Sequence, residues 1–161
     1  MKNSKKKFPS TQATIFLDKL NADYRKFSYD YIKSGAMEAA RQLGVDSGIM
    51  IKTLIMEDAT KKPFIVLMQG DKRVSLKKMA KSIGTKNVSS CHPKDAQRYT
   101  GYVVGGISPF ATSRRLPVYL EGTIANISRV FLNGGRRGFL VEMSTDELVR
   151  VLNPKIVDVA V

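Results

Sequence analysis

The sequence has few of the side chains that usually carry out enzyme chemistry: one cysteine, Cys91, one histidine, His92, and no tryptophan. A single thiol excludes an internal disulfide and cannot by itself make a zinc site, and it indicates a reduced, cytosolic setting. Any Ser-His-Asp arrangement would depend on His92, yet its neighbour Pro93 favours a helix start or a surface position. The sequence also contains no Walker-type loop and no cluster of metal ligands. We therefore expect no metal and no cofactor, and a reaction that depends on positioning and hydrogen bonds.

Long hydrophobic runs are also missing. No apolar run approaches the roughly 20 residues of a membrane-spanning helix. Residues 1–8 carry four lysines, but no apolar stretch follows them, so we do not expect them to act as a secretory signal. We predict a cytoplasmic protein with no membrane partner. Its 161 residues fit a single domain, residues 1–161, in which residues 1–9 are a basic tail that is either disordered in solvent or in contact with RNA.

Acidic residues are scarce relative to basic ones. The chain has 27 lysines and arginines against 14 aspartates and glutamates, which gives a formal net charge of +13. An excess of this size attracts polyanions, and nucleic acid releases condensed counterions when cationic side chains bind it. The alternative is a charge that serves only solubility. The size of the excess favours binding to RNA or DNA.

Helical and extended patterns alternate along the chain without an internal repeat. Ser10 or Thr11, Ser34, Ser75 and a capping box at Ser144 are suited to begin helices. Strand-like runs cluster in the second half, and helices lie between the clusters, which favours an α+β fold. Helices are predicted around residues 13–20, 37–43, 76–83, 93–97 and 144–152, and strands around residues 27–31, 50–56, 64–68, 102–104, 118–120, 130–132, 139–141 and 156–161.

Lys52 is the first candidate for a functional side chain. It interrupts an apolar strand between Ile51 and Thr53, where a lysine costs desolvation energy unless it faces solvent or a ligand. An ammonium group offers three donors and suits a phosphate or a developing oxyanion. The alternative interpretation is an outward-facing strand residue.

The loop that runs from Gly101 to Pro109 is the second candidate. Gly105 and Gly106 follow an apolar run, and adjacent glycines allow the backbone to approach a ligand closely. Their N–H groups could hold an anion or a carbonyl oxygen, while Pro109 holds Ser108 extended. An ordinary tight turn is the alternative.

A second glycine pair, Gly134 and Gly135, follows Asn133 and precedes two arginines, Arg136 and Arg137. Asn-Gly after a strand predicts a turn. Such a turn would present both arginines to solvent, and arginine is a common ligand of phosphate groups. This region is therefore a candidate contact with an RNA backbone.

Taken together, these motifs resemble the YbaK/EbsC family of Cys-tRNA deacylases, relatives of the editing insertion of bacterial prolyl-tRNA synthetases. The resemblance extends from about Thr11 to nearly the end of the chain, and the order and spacing of the motifs make it specific. The matching segments are Ile51-Lys52-Thr53-Leu54 and residues 75–84, 100–109, 114–117 and 133–138.

The resemblance implies a mixed fold in which helices surround a barrel-like sheet, and an enzyme that removes cysteine wrongly attached to proline tRNA, or cysteine on its own tRNA. In this family the substrate thiol attacks its own ester, so the enzyme need not supply a nucleophile. Transfer RNA is the implied partner, and prolyl-tRNA synthetase is left open as a second one. By the same resemblance, catalytic roles fall to Lys52, Tyr29, Gly105 and Gly106, and substrate binding to Ile107, Ser108 and Pro109. Gly101, Gly134 and Arg136, in the two glycine-containing segments, are further candidates for substrate binding.

One departure from the family pattern and the strong positive charge leave two alternatives open. Some family members have an acidic residue at the position of Leu140, so the amino-acid specificity of this chain does not follow from the family. Removal of alanine or another small amino acid from proline tRNA is one alternative. A non-catalytic RNA-binding or regulatory protein is the other, and it predicts that Lys52 and the Gly105 loop lie apart. The oligomeric state is not encoded in any of these motifs.

Overall fold

The computed structural model describes residues 7–32 and 35–161, and within them it has five α-helices and eight strands. Helices and strands are mixed along the chain, which confirms the predicted α+β class. The helices are α1 (Gln12–Lys19), α2 (Gly35–Leu43), α3 (Leu76–Ile83), α4 (Pro93–Thr100) and α5 (Thr145–Leu152). The strands are β1 (Arg25–Ser28), β2 (Ile51–Asp58), β3 (Pro63–Gln69), β4 (Val88–Ser90), β5 (Val118–Glu121), β6 (Arg129–Arg136), β7 (Phe139–Ser144) and β8 (Lys155–Val157).

The strands form two sheets. One has three strands in the order β1-β7-β6, and the other has five in the order β4-β2-β3-β5-β8. A single parallel bridge between Met50 and Phe131 joins them, so the described strands do not close into a barrel. The expected barrel-like arrangement takes the form of two sheets that this bridge joins, without closure into a barrel.

Local capping explains where the helices begin. Thr11, Ser75 and Ser144 each accept a hydrogen bond from a backbone N–H in the first turn of the helix that follows. Gly84 ends α3 in the left-handed conformation, which glycine adopts without strain. These positions agree with the sequence prediction. Ser34, the predicted cap of α2, lies outside the described residues.

Three hydrophobic clusters hold these elements together. The largest fills the space between the two sheets and includes Leu67, Leu120, Val141 and Phe110. A second lies between the five-stranded sheet and α3, where Met79 is fully buried. The third packs α2 onto the junction of the two sheets, through Ala39, Ala40, Met50, Phe131 and Leu140.

Three local predictions were wrong. Residues 102–104 are not a strand, because Tyr102 turns inward and donates its hydroxyl to the buried Phe110 carbonyl. Gly134 and Gly135 do not make the hairpin turn, since they lie within β6 at an irregularity in its pairing with β7. Strand β1 ends at Ser28, before Tyr29 and Tyr31. In the first two cases a contact between distant parts of the chain overrides the local pattern.

Two further observations concern the start of the described chain and the character of its helices. Phe8 packs its ring 6.0 Å from that of Phe139, between ring centroids. In the described part of the chain, none of the helices has the length and apolar character that crossing a membrane requires.

Candidate functional site

A cleft of about 330 Å³ opens where β2 and β6 diverge. Met50 and Phe131 bridge the two strands at its base, and Thr53 and Asn133 line it further along the same strands. The cleft therefore lies at the junction of the two sheets. Its walls are formed by Tyr29, Tyr31, Gly35, Ala36, Ala39, Met50, Ile51, Lys52, Thr53, Val104, Gly105, Ile107, Asn133 and Leu140.

Lys52 supplies the one cationic side chain among these described lining residues. Its Nζ donates a hydrogen bond of 2.6 Å to the carbonyl oxygen of Lys72. Partial burial lowers the pKa of Lys52 below its usual value, and the positive charge of Arg73 lowers it further. The Asp71 carboxylate opposes this lowering in part. The ammonium itself is hydrogen-bonded to main chain, and none of the described ion pairs joins it to a carboxylate, so its charge remains available to an anionic ligand.

The Gly105 loop reaches the same cleft from the opposite side. Gly105 has a φ of +91°, and a Cβ atom added there would lie 2.4 Å from the hydroxyl of Tyr31. Its carbonyl oxygen accepts a hydrogen bond of 2.8 Å from the Asn133 side chain. The Gly106 N–H donates to the Val103 carbonyl at 2.9 Å and so closes the turn. Glycine is favoured at position 105, because a side chain there would displace the exposed Tyr31 ring and would adopt an unfavourable backbone angle.

The hairpin turn between β6 and β7 packs against the Gly105 loop and holds it in position. Arg137 donates from Nε to the Val104 carbonyl at 2.9 Å, and its guanidinium lies 5.2 Å from the centre of the Tyr31 ring. A Cβ atom on Gly106 would approach the backbone N of Arg137 to 2.9 Å, so the two turns pack backbone to backbone. The position of Gly105 in the cleft is therefore fixed from two sides.

The far end of the cleft is apolar. Ala36 and Ala39 on α2 face Met50 and Leu140, which belong to the third hydrophobic cluster. Tyr29 borders this end, and burial raises the pKa of its phenol, with the neighbouring Tyr31 as a second cause. None of the described lining residues is a carboxylate. This end suits a small, uncharged group.

The structure brings together four of the predicted site residues: Lys52, Tyr29, Gly105 and Ile107 all line the cleft. Arg136 lies instead in a neighbouring groove with Lys7 and Phe8. The remaining predicted residues, Gly101, Gly106, Ser108, Pro109 and Gly134, are outside the described lining of the cleft.

Three of those residues have visible structural roles. Ser108 is fully buried and its Oγ accepts a hydrogen bond from the Phe110 N–H. Gly101 ends α4 with a φ of +78°. Gly134 packs so closely on Phe139 that a Cβ atom would come within 2.5 Å of the ring. These contacts shape the loop and the hairpin around the cleft.

Sequence reasoning missed three polar groups that line the cleft: Thr53, Tyr31 and Asn133. The Thr53 hydroxyl is the most informative, because its Oγ1 is buried and has no hydrogen-bond partner among the described residues. A buried hydroxyl without a partner is costly, and a ligand in the cleft could supply the missing bond. The one signal in the sequence was the place of Thr53 beside Lys52.

Cys91 and His92 stay out of this site. Burial raises the pKa of the Cys91 thiol to about 11, and the nearby Glu57 carboxylate adds to the rise. The His92 ring caps α4, since its Nδ1 accepts a hydrogen bond from the Lys94 N–H. This position agrees with the predicted helix start. Across residues 7–32 and 35–161, no group of three or more His, Cys, Asp or Glu side chains is gathered that could hold a metal ion.

Known proteins resemble this chain both in sequence and in fold. The aminoacyl-tRNA editing domain family matches residues 33–151. A protein of Enterococcus faecalis described as a candidate Cys-tRNA(Pro)/Cys-tRNA(Cys) deacylase, EbsC, is 27% identical over 157 residues, which cover 96% of each chain. These matches confirm the resemblance that the motifs indicated.

Solved structures of related proteins have the same fold. The crystal structure of a hypothetical protein superimposes with a TM-score of 0.86 and 27% identity, over 93% of this chain and 99% of its own. That of a candidate trans-editing enzyme for prolyl-tRNA synthetase gives 0.82 at 22% identity, over 94% and 98%, which supports the fold alone. By its sequence match over most of its length and its two-sheet architecture, the chain belongs to the family of aminoacyl-tRNA editing domains.

Proposed function

We propose that the protein deacylates mischarged Cys-tRNA(Pro) in trans, and that it also accepts Cys-tRNA(Cys). The observation that carries the proposal is the convergence of Lys52 and Gly105 on one cleft. A non-catalytic RNA-binding protein has no need for a cation and a backbone loop that face each other across a cavity of about 330 Å³. The relative described as a candidate Cys-tRNA deacylase supports the same substrate.

The two ends of the cleft suit the two parts of an aminoacyl ester. The apolar end, between Ala39, Met50 and Leu140, has the character that accepts a thiol, which behaves as a small, weakly polar hydrophobe. The polar end, at Lys52, Thr53 and Asn133, offers donors to the ester carbonyl and to the terminal ribose. A substrate placed this way has its carbonyl between the ammonium and the Gly105 loop.

The reaction then needs no nucleophile from the protein. The substrate sulfur attacks the carbonyl carbon of its own ester, and an S–C bond forms while the ester C–O bond breaks. The products are a four-membered thiolactone and the free hydroxyl of the terminal ribose, which takes up the proton lost by the thiol. Water then opens the thiolactone to free cysteine. The raised pKa and remote position of Cys91 agree with a reaction in which the substrate supplies the thiol.

The protein would contribute orientation and charge stabilisation. Negative charge develops on the carbonyl oxygen during the attack, and the Lys52 ammonium can stabilise it. The Gly106 N–H is already bonded to the Val103 carbonyl, so we assign the backbone donors to the flanking Gly105 and Ile107. Holding sulfur and carbon in contact supplies the rest of the rate gain, because it removes the entropy cost of finding that geometry.

The test compares three amino acids on the same proline tRNA: cysteine, serine and alanine. We expect cysteine to be released at least about 100-fold faster than the other two, because only a thiol is nucleophilic enough to attack its own ester. Equal release of cysteine and alanine would overturn the mechanism and favour the alanine deacylase. No release of any amino acid, with tRNA still bound, would favour the non-catalytic protein. Running each assay with and without prolyl-tRNA synthetase decides whether that enzyme is a partner.

A further inference from the structure

The segment from Lys72 to Lys94 has a charge of one sign. It contains seven lysines and arginines and no aspartate or glutamate. Three of these lysines, Lys77, Lys78 and Lys81, belong to α3 and are exposed. The opposite face of α3 is buried against the five-stranded sheet through Met79 and Ala80. The helix therefore shows solvent a surface that is almost entirely cationic.

The lysines of α3 are arranged at the expense of helix stability. Lys77 and Lys81 are four residues apart and Lys78 and Lys81 three apart, spacings at which like charges repel each other on a helix. Other helices pair such positions with opposite charge, as in the ion pairs Glu38–Arg41 on α2, Asp95–Arg98 on α4 and Glu147–Arg150 on α5. No ion pair is formed by the α3 lysines in residues 7–32 and 35–161.

The position of the lysines within α3 is also unfavourable. Lys77 and Lys78 lie in its first turn, where the helix dipole is positive and repels cations. Helices α2, α4 and α5 each have an acidic residue in that turn, and α1 and α3 have none. Of these last two, only α3 carries lysines there. Two cations at the positive end of a helix raise the potential there, which favours a bound anion.

This surface is joined to the cleft by a short stretch of chain. The carbonyl oxygen of Lys72 accepts a hydrogen bond from the Nζ of Lys52, and the positive charge of Arg73 lowers the pKa of the same ammonium. From Arg73 to Lys77 the chain advances four residues, a span of at most about 14 Å. Cationic side chains at Lys52, Lys72, Arg73 and Lys77 therefore lead from the cleft to the first turn of α3.

We propose that the exposed face of α3, with Lys77, Lys78 and Lys81, binds the phosphodiester backbone of the tRNA acceptor arm while the 3′ end occupies the cleft. The inference rests on the proposed function, which places the aminoacyl ester in the cleft. Lysine ammonium groups are suited to phosphates, which they contact as point charges. The other basic surface, with Lys7 and Arg136, also contains Arg137, which is already engaged with Val104 and Tyr31. We favour α3 because its three exposed lysines have no acidic neighbour from Lys72 to Lys94.

The test uses the full chain with Lys77→Glu and Lys81→Glu combined. We expect affinity for uncharged tRNA to fall at least tenfold, and the slope of log affinity against log salt to become shallower by roughly 1.5 to 2, since two phosphate contacts are lost. Release of cysteine from cysteinyl-adenosine, which lacks the acceptor arm, should keep the kcat/KM of the parent protein. That second readout also shows that the variant is folded. Lys77→Ala with Lys81→Ala should give the same pattern, with a smaller loss.

The matched control is Lys19→Glu with Lys155→Glu, which changes the net charge by the same amount at α1 and at the edge strand β8. We expect it to leave the affinity for tRNA within about twofold of the parent. An equal loss in both double variants would mean that only total charge matters, and it would overturn the proposal. Unchanged tRNA binding in the α3 variant would also overturn it and leave that face to a partner other than RNA. If the parent protein binds tRNA through α3 but releases no cysteine, the proposed deacylase function is refuted while the proposal that α3 binds tRNA stands.

Discussion

The ammonium of Lys52 donates a hydrogen bond of 2.6 Å to the carbonyl oxygen of Lys72. This bond fixes the cation at the polar end of the cleft without neutralising it. A charge that is held in place before substrate arrives costs no reorganisation during the reaction. The position of Lys52 relative to the loop at Gly105 is thus set by the main chain between β3 and α3.

Lys52→Ala should lower kcat/KM for release of cysteine from Cys-tRNA(Pro) by about 100-fold or more, the usual effect of removing one oxyanion-stabilising group. The thermal midpoint should not fall, because the substitution removes a partly buried cation. Lys62→Ala, at the exposed turn between β2 and β3, is the control and should keep full activity. A Lys52→Ala protein with the activity of the parent would refute the role given to Lys52.

The pH dependence of the reaction should show the lowered pKa of Lys52. Burial, and secondly the charge of Arg73, bring this pKa below the usual 10.5. The protonated form is the one that stabilises the oxyanion, so activity should decline as pH rises through the lowered pKa. Arg73→Gln removes a like charge, which raises the pKa of Lys52 and should move the alkaline decline to higher pH. Rates measured with cysteinyl-adenosine, corrected for spontaneous hydrolysis, provide the profile, and an unmoved decline would contradict this account.

Thr53→Val should separate activity from stability. The hydroxyl has no partner in the described residues, so its replacement by a methyl group should raise the free energy of unfolding by up to about 1 kcal/mol. Activity should fall about tenfold, because the substrate loses a hydrogen bond. Thr145→Val is the matched control, since its Oγ1 is also buried without a partner but lies on α5, outside the described lining of the cleft. It should gain similar stability and keep its activity, and equal activity in both variants would exclude a role for Thr53.

Gly105→Ala should reduce kcat at least tenfold. The added methyl group would meet the Tyr31 hydroxyl at 2.4 Å, and the φ of +91° is unfavourable for alanine. Gly84→Ala provides the comparison, because Gly84 has a φ of +72° but no atom within 4 Å of an added Cβ. Both variants should lose about 1 kcal/mol of stability from the backbone, while only Gly105→Ala should lose kcat. Similar kcat values in the two variants would show that the loop does not contact the ester.

Glu121→Gln tests the fold independently of the site. The fully buried carboxylate accepts hydrogen bonds from the N–H groups of Thr123, Val159 and Ala160. Burial alone would raise its pKa, but the hydrogen bond from the Thr123 hydroxyl, together with these N–H bonds, outweighs burial and lowers the pKa below 4.5. We expect the substitution to lower the free energy of unfolding at pH 7 by about 1 to 3 kcal/mol.

The sign of the pH effect follows from that lowered pKa. The stability that the Glu121 carboxylate contributes is present above the pKa of the unfolded chain and is lost as pH falls through the folded pKa. The difference between parent and Glu121→Gln should therefore shrink in acid. Urea unfolding at pH 7 and pH 3 measures it. Asp95→Asn, which breaks only the exposed pair with Arg98, should change stability little at either pH. A constant difference for Glu121→Gln would show that its charge is not involved.

The sequence by itself determined the features that depend on neighbouring residues. Thr11, Ser75 and Ser144 cap helices because a hydroxyl can reach an N–H two or three residues away in any context. The motifs around Lys52 and Gly105 identified the family for the same reason: each is a short run whose order along the chain is visible without the fold. The α+β class followed from the pattern of these local elements.

Only the tertiary structure decided which of these residues meet. Thr53 and Asn133 are 80 positions apart, and they line one cleft because the bridge from Met50 to Phe131 joins two sheets and then lets β2 and β6 separate. Whether the Thr53 hydroxyl has a partner depends on what stands opposite it, and no spacing along the chain encodes that. Gly106, Ser108 and Gly134 were site candidates beside Gly105 in the sequence, yet none of them lines the cleft. The Gly106 N–H and the Ser108 hydroxyl are taken up by local turn bonds with Val103 and Phe110, and Gly134 is packed against the Phe139 ring.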